Sequence, residues 1–200
     1  MECKACQAAD AVSLLCEACG AVQPPRPGLD KFTALGLPRT LALEPAMLEA
    51  RYRELSRKLH PDRFVRAPAN ERLLSLQAAT TLNEAYRTLR SPKARAEYLL
   101  SLEGIDIGEA AAVDKAFLME IIALREELIS AKEAGDEAKC DAMGADVSRR
   151  RDTALDAVFR SFARYEETRE RLILDQIKEQ LIAVRYFQRF IDEHEAGRED

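Results

Sequence analysis

Between Leu48 and Leu89 the apolar positions of the chain recur with the period of an α-helix. Leu48, Tyr52, Leu55 and Leu59 fall at i, i+4, i+7 and i+11, which is one face of an amphipathic helix. Proline at 61 ends that helix near Leu59, because it pushes His60 out of the α region and has no N–H to donate. Downstream, Leu74, Ala78, Leu82, Ala85, Tyr86 and Leu89 trace the core face of a second helix, closed by Ser91-Pro92. Two apolar faces joined by a loop of about ten residues predict an antiparallel helical hairpin. Its tip carries His60-Pro61-Asp62.

The flanking pattern is also helical. Asp30 is placed to cap a short helix holding Phe32 and Leu35, ended by Gly36 and Pro38, and Glu44-Pro45 opens the first hairpin helix. After Pro92 a short helix runs from Ala94 to Leu102, and Glu103 to Gly108 reads as a domain junction. Three long helices follow, over about Asp114 to Lys132, Asp136 to Tyr165 and Thr168 to His194. Their short connections predict a three-helix bundle. Cys140, Met143, Val147, Leu155, Val158 and Phe162 form the stripe of the middle helix, with Gly144 as its weak point and Cys140 a small core residue. The polar tail Glu195 to Asp200 is expected to fray.

Two of the bundle helices carry more apolar surface than a bundle needs. On the first, Phe117, Ile121, Leu124 and Leu128 complete a core stripe, while Leu118, Met119, Ile122 and Glu126 gather on a second face roughly 110–120° away. On the third, Ile177, Leu181, Val184 and Ile191 face the core, and Ile182, Tyr186 and Phe190 form a separate ridge. Surface left over in this way marks a partner site, unless the hairpin or the fourth helix covers one ridge.

Charge narrows the choice of partner. The 200 residues carry a formal net charge of −5 and are 47% hydrophobic, enough for one or two small cores and unlike a general nucleic-acid binder. Arg51, Arg53, Arg57, Lys58, Arg63 and Arg66 nevertheless cluster against only Glu54 and Asp62. A basic helix on an acidic chain points to a specific acidic surface. No apolar run is long enough to span a membrane, and neither a signal peptide nor a transit peptide is visible, so an intracellular protein is expected, cytoplasmic, or of the mitochondrial matrix if the chain is eukaryotic.

Residues 1–20 form a unit of their own, with Cys3, Cys6, Cys16 and Cys19 in two C-x2-C turns. Each turn aims two thiolates at one point, and together they complete a tetrahedral S4 shell. Zinc is the expected ion, ahead of a rubredoxin-like iron or a redox dithiol, and an S4 shell leaves no position open for catalysis. Residues 21–30, with three prolines and a glycine, read as a stiff extended linker insulating the knuckle.

The run from Arg53 to Phe64 with Leu82-Asn83-Glu84-Ala85-Tyr86-Arg87-Thr88-Leu89 resembles the J-domain of DnaJ-type co-chaperones. Phe32 to Pro38 before it and Arg95 to Leu102 after it resemble, more narrowly, the HscB family, the J-type co-chaperones of iron–sulfur cluster assembly. The resemblance covers residues 32 to about 192 and implies an all-α chain: a J-domain over residues 31–103 and a C-terminal three-helix bundle over residues 104–200. It implies that Arg53, Arg57, Lys58, His60, Pro61, Asp62 and Arg63 dock an HscA- or DnaK-type chaperone and stimulate its ATPase. It also implies that Leu118, Met119, Ile122, Ala123, Glu126 and Tyr186 bind an IscU-type scaffold, with Ala123 departing from the acidic residue often found there. Some members, notably eukaryotic ones, carry a similar tetracysteine module.

Three rival readings are weaker. A His60–Asp62 acid–base pair lacks a third orienting group, and Pro61 is expected to hold the two side chains in divergent directions, so no enzyme is expected. A zinc-dependent nucleic-acid adaptor is opposed by the charge of the knuckle, where Lys4 faces Glu2, Asp10 and Glu17. A general J-protein for unfolded clients lacks a Gly/Phe-rich segment after the hairpin.

Overall fold

The structure is a computed structural model that describes residues 3, 5–7, 13–108 and 113–196. The described residues are all-α apart from one isolated antiparallel bridge, Leu15 to Val22. The chain divides into two compact units, Met1–Arg95 and Ala96–Asp200.

The first unit is built on α1 (Lys31–Leu35), α2 (Pro45–Leu59) and α3 (Ala69–Arg90). The Asp30 carboxylate caps α1 by accepting from the amides of Phe32 and Thr33, and Gly36 closes it in the left-handed region at φ 65°. Burial works against the Asp30 charge, yet hydrogen bonds from Arg39 and Thr33 hold its carboxyl below the usual range. The hairpin forms as the periodicity requires: Leu48, Leu55 and Leu59 of α2 and Ala78, Leu82, Ala85 and Leu89 of α3 are buried. α1 packs on α3, burying Phe32, Ala34 and Leu35. Arg51, which flanks the apolar stripe, donates from Nε to the Leu35 carbonyl at 2.9 Å and joins α2 to the end of α1. Its cation therefore serves the fold.

α4 (Pro92–Leu102) begins two residues earlier than its apolar pattern suggests, since proline is tolerated in a first turn. The second unit holds α5 (Lys115–Glu133), α6 (Glu137–Thr168) and α7 (Arg171–Ala196). Asp114 and Asp136 cap α5 and α6 through the amides of Phe117 and Lys139. α6 continues three residues past Tyr165 and ends only at Arg169, whose φ of 56° breaks the helix. α7 remains helical through Ala196, beyond the point where fraying is expected, and residues 197–200 lie outside the described set. Among the described residues no helix is long and apolar enough to cross a membrane.

The separate ridge expected on α7 does not exist. Ile182 and Phe190 are buried, Phe190 completely, and only Tyr186 is half-exposed. Phe190 packs with Ile121, Leu128 and Val147 in the bundle core. On the side of Ile182, Arg185 donates to the carbonyls of Ile107 and Gly108 and lies 3.7 Å from Glu97 of α4. α7 is thus enclosed over a wider arc than two partner helices provide.

Gly144 also has a tertiary role. A Cβ there would lie 2.9 Å from the His194 ring, so the missing side chain lets His194 bury itself against α6.

Candidate functional site

The hairpin tip is a 3-10 turn, Pro61–Phe64. His60 caps it: the Asp62 amide donates to His60 Nδ1 at 3.3 Å. That bond turns the chain back on itself, so His60 Nδ1 and Asp62 Oδ2 stand 3.5 Å apart and do not diverge. Pro61 fixes its own φ and keeps His60 extended, and the cap decides where the side chains go. Both groups are open to water, His60 at 55% and Asp62 at 85%.

The turn is held from below. Ser75 of α3 is fully buried and its hydroxyl donates to the Leu59 carbonyl at 2.7 Å, occupying a C-terminal oxygen of α2 that the break at Pro61 leaves free. Arg63 reaches back to the Arg57 carbonyl at 3.4 Å, a favourable place for a cation at a helix C-terminus. Arg53 pairs with Glu49 and Lys58 with Glu54, each across one helical turn at 2.5 and 2.6 Å. Lys58 and Arg51 hold the Glu54 carboxyl below the usual range. Arg57 is exposed and has no ion-pair partner among the described residues. The seven residues singled out in the sequence therefore run from the middle of α2 into the turn and differ in their ion pairing.

At the N-terminus the four sulfurs converge, all within 4.8 Å of one another. The Cys3–Cys19 and Cys6–Cys16 separations are both 3.7 Å. A disulfide needs about 2.05 Å. A tetrahedron of sulfurs about 2.3 Å from a central zinc has edges of roughly 3.8 Å, so the arrangement fits a metal and not a bridge. Amide hydrogen bonds from Cys6 and Ala5 lower the Cys3 thiol to about 6. The Ala21 amide favours the Cys19 thiolate, but its neighbouring sulfurs and burial push it up to about 12. Four thiolates this close repel one another, and a cation relieves that repulsion.

The knuckle reaches beyond residue 20. Leu15 and Val22 form their bridge, and the buried Gln23 donates from Nε2 to Cys3 Sγ at 3.4 Å and to the Ala21 carbonyl at 3.0 Å. Ligand spacing carries no signal for such a supporting residue, because it comes from the segment that composition marks as linker.

In the second unit Phe117, Ile121, Leu124 and Leu128 of α5 turn inward, as expected. Leu118, Met119 and Ile122 are 36%, 58% and 41% exposed, and Ala123 and Glu126 are exposed beside them. Tyr186 of α7, partly buried against the bundle core, meets the inward-turned Phe117 edge to face at 5.9 Å. Ion pairs pin both flanks of α5, Glu120 to Arg150 at 2.5 Å and Arg125 to Glu193. The helix cannot roll to bury the ridge without breaking them.

Comparison with known proteins agrees with this architecture. A DnaJ domain model matches residues 30–98, and the HSCB C-terminal oligomerisation domain matches residues 113–195. Among solved structures, the chain is similar to the chaperone HscB from Vibrio cholerae, with 32% identity and a TM-score of 0.73 over 85% of this chain and 98% of that one. It is also similar to the human co-chaperone protein HscB, with 29% identity and a TM-score of 0.83 over 99% of this chain and 98% of that one. Coverage of 99% takes in the tetracysteine segment.

Proposed function

The chain belongs to the HscB family of J-domain co-chaperones, and on that premise we propose that it delivers an IscU-type iron–sulfur scaffold to an HscA- or DnaK-type chaperone. The scaffold binds the α5 ridge, through Leu118, Met119, Ile122, Ala123, Glu126 and Tyr186. The chaperone docks on α2 and the His60-Pro61-Asp62 turn, and the contact stimulates its ATP hydrolysis. The chain itself catalyses no reaction. Zinc in the Cys3, Cys6, Cys16 and Cys19 shell is a structural ion, and its binding energy folds a segment too short to own a core.

One observation carries this reading: three large apolar side chains on α5 stay open to water while the same helix has a complete core stripe. Surface of that kind beside a satisfied core is a docking face. It favours a dedicated scaffold carrier over a general J-protein. The test is ATP turnover by a DnaK-type chaperone titrated with this protein, with and without an IscU-type scaffold. Stimulation should rise further when scaffold is present and vanish in His60→Gln. A His60→Gln variant as active as wild type would remove the docking assignment.

A further inference from the structure

A second basic surface lies on the hairpin, away from the His60-Pro61-Asp62 turn. Tyr52 of α2 and Tyr86 of α3 stack with ring centroids 4.0 Å apart and planes 14° from parallel. The Tyr52 hydroxyl also donates to Asn83 Oδ1 at 2.9 Å. This locked pair stands beside two open recesses that have Tyr52 in common. On one side Tyr52 lines a recess with Arg53 and Arg57, and on the other it lines a recess with Tyr86, Arg87 and Arg90.

Helical spacing explains the second recess. Asn83, Tyr86, Arg87 and Arg90 fall at i, i+3, i+4 and i+7, one stripe of α3. At 1.5 Å per residue Arg57 lies about 7.5 Å along α2 from Tyr52, and Arg90 about 6 Å along α3 from Tyr86. Among the described residues no carboxylate lines either recess. Arg53 is engaged by Glu49, whereas Arg57, Arg87 and Arg90 are exposed and have no ion-pair partner among the described residues. Arg53 and Lys58 are each neutralised by a carboxylate one turn away. Three guanidinium groups left without one, around a rigid aromatic floor and on a chain of net charge −5, make a site for a partner's carboxylates.

We propose that the chaperone-docking surface extends across these two recesses, with Arg87 and Arg90 of α3 binding an acidic face of the DnaK-type chaperone beyond the part that meets α2. The inference rests on the docking of that chaperone at α2 and names the second helix that shares the load. Tyr52 belongs to both recesses, so a partner seated on Arg57 that extends across Tyr52 comes to Arg87 and Arg90. Guanidinium forks suit carboxylates, and the solvent-exposed rim position makes the contribution one of capture and orientation.

The test compares Arg87→Glu with Arg90→Glu, as a double variant, against wild type and His60→Gln in the stimulated-ATPase titration. The double variant should need about tenfold more protein for half-maximal stimulation, with the plateau unchanged and a weaker dependence on salt. Arg87→Lys with Arg90→Lys should recover most of the loss, and the melting curve should not move. Unchanged half-maximal concentration in the double variant, with His60→Gln inactive, overturns the extension onto α3 and leaves the α2 reading standing. A His60→Gln variant that stimulates normally overturns the α2 reading instead. Loss of binding to a DNA duplex, with chaperone stimulation unchanged, would assign the arginines to nucleic acid and also overturn the proposal.

Discussion

The Ser75 hydroxyl donates a 2.7 Å hydrogen bond to the Leu59 carbonyl, and both residues are completely buried. Leu59 is the last residue of α2 and His60 follows it, so one side chain of α3 fixes the point from which the His60-Pro61-Asp62 turn departs. Ser75→Ala leaves that carbonyl unsatisfied in the core and should cost about 1–3 kcal/mol in denaturant unfolding. Stimulation of the chaperone should weaken as well, because the turn is no longer held in register.

The α5 ridge separates binding from folding. Leu118→Ala with Met119→Ala and Ile122→Ala should abolish calorimetrically detected binding of an IscU-type scaffold, with the melting temperature nearly unchanged and basal ATPase stimulation intact. Phe190→Ala, which empties a completely buried site, should instead cost about 3–5 kcal/mol. Normal scaffold affinity in the triple variant would eliminate this face, and a collapsed melt would make it core.

The knuckle should hold one zinc per chain, read by elemental analysis. Replacing Gln23 by Ala removes the side-chain donor at Cys3 and should weaken metal retention against a chelator roughly tenfold or more, as loss of supporting hydrogen bonds does at other metal sites. Retention equal to wild type would show that the ligands need no such support.

Acid should loosen the first unit through Asp30. Its folded carboxyl titrates below its ordinary value of 3.8, so the cap stabilises above that value and is lost as the pH falls through and below it. Asp30→Ala should cost about 1 kcal/mol at neutral pH by losing the cap, and less in acid. The difference between the two unfolding curves should shrink as the pH drops below about 4.

Much of this molecule was legible in one dimension. Leu48, Leu55 and Leu59 recur at helical spacing, Pro61 must break what precedes it, and two C-x2-C turns converge, because each of these depends on neighbours along the chain. The inward and outward faces of α5 follow from its period in the same way. The fate of Ile182 and Phe190 does not. A helical wheel ranks directions around one axis and says nothing about how many neighbours crowd that axis, and α7 is enclosed over a wider arc than an isolated bundle allows. The same limit hid Ser75 beneath Leu59, Gln23 beside Cys3 and the convergence of His60 with Asp62. Hydrogen bonds decide these arrangements, two of them between residues at least sixteen positions apart, and no local period encodes which side chain will meet which. Sequence determined which segments become helices and where thiols gather; only packing in three dimensions decided which surplus apolar face remained exposed.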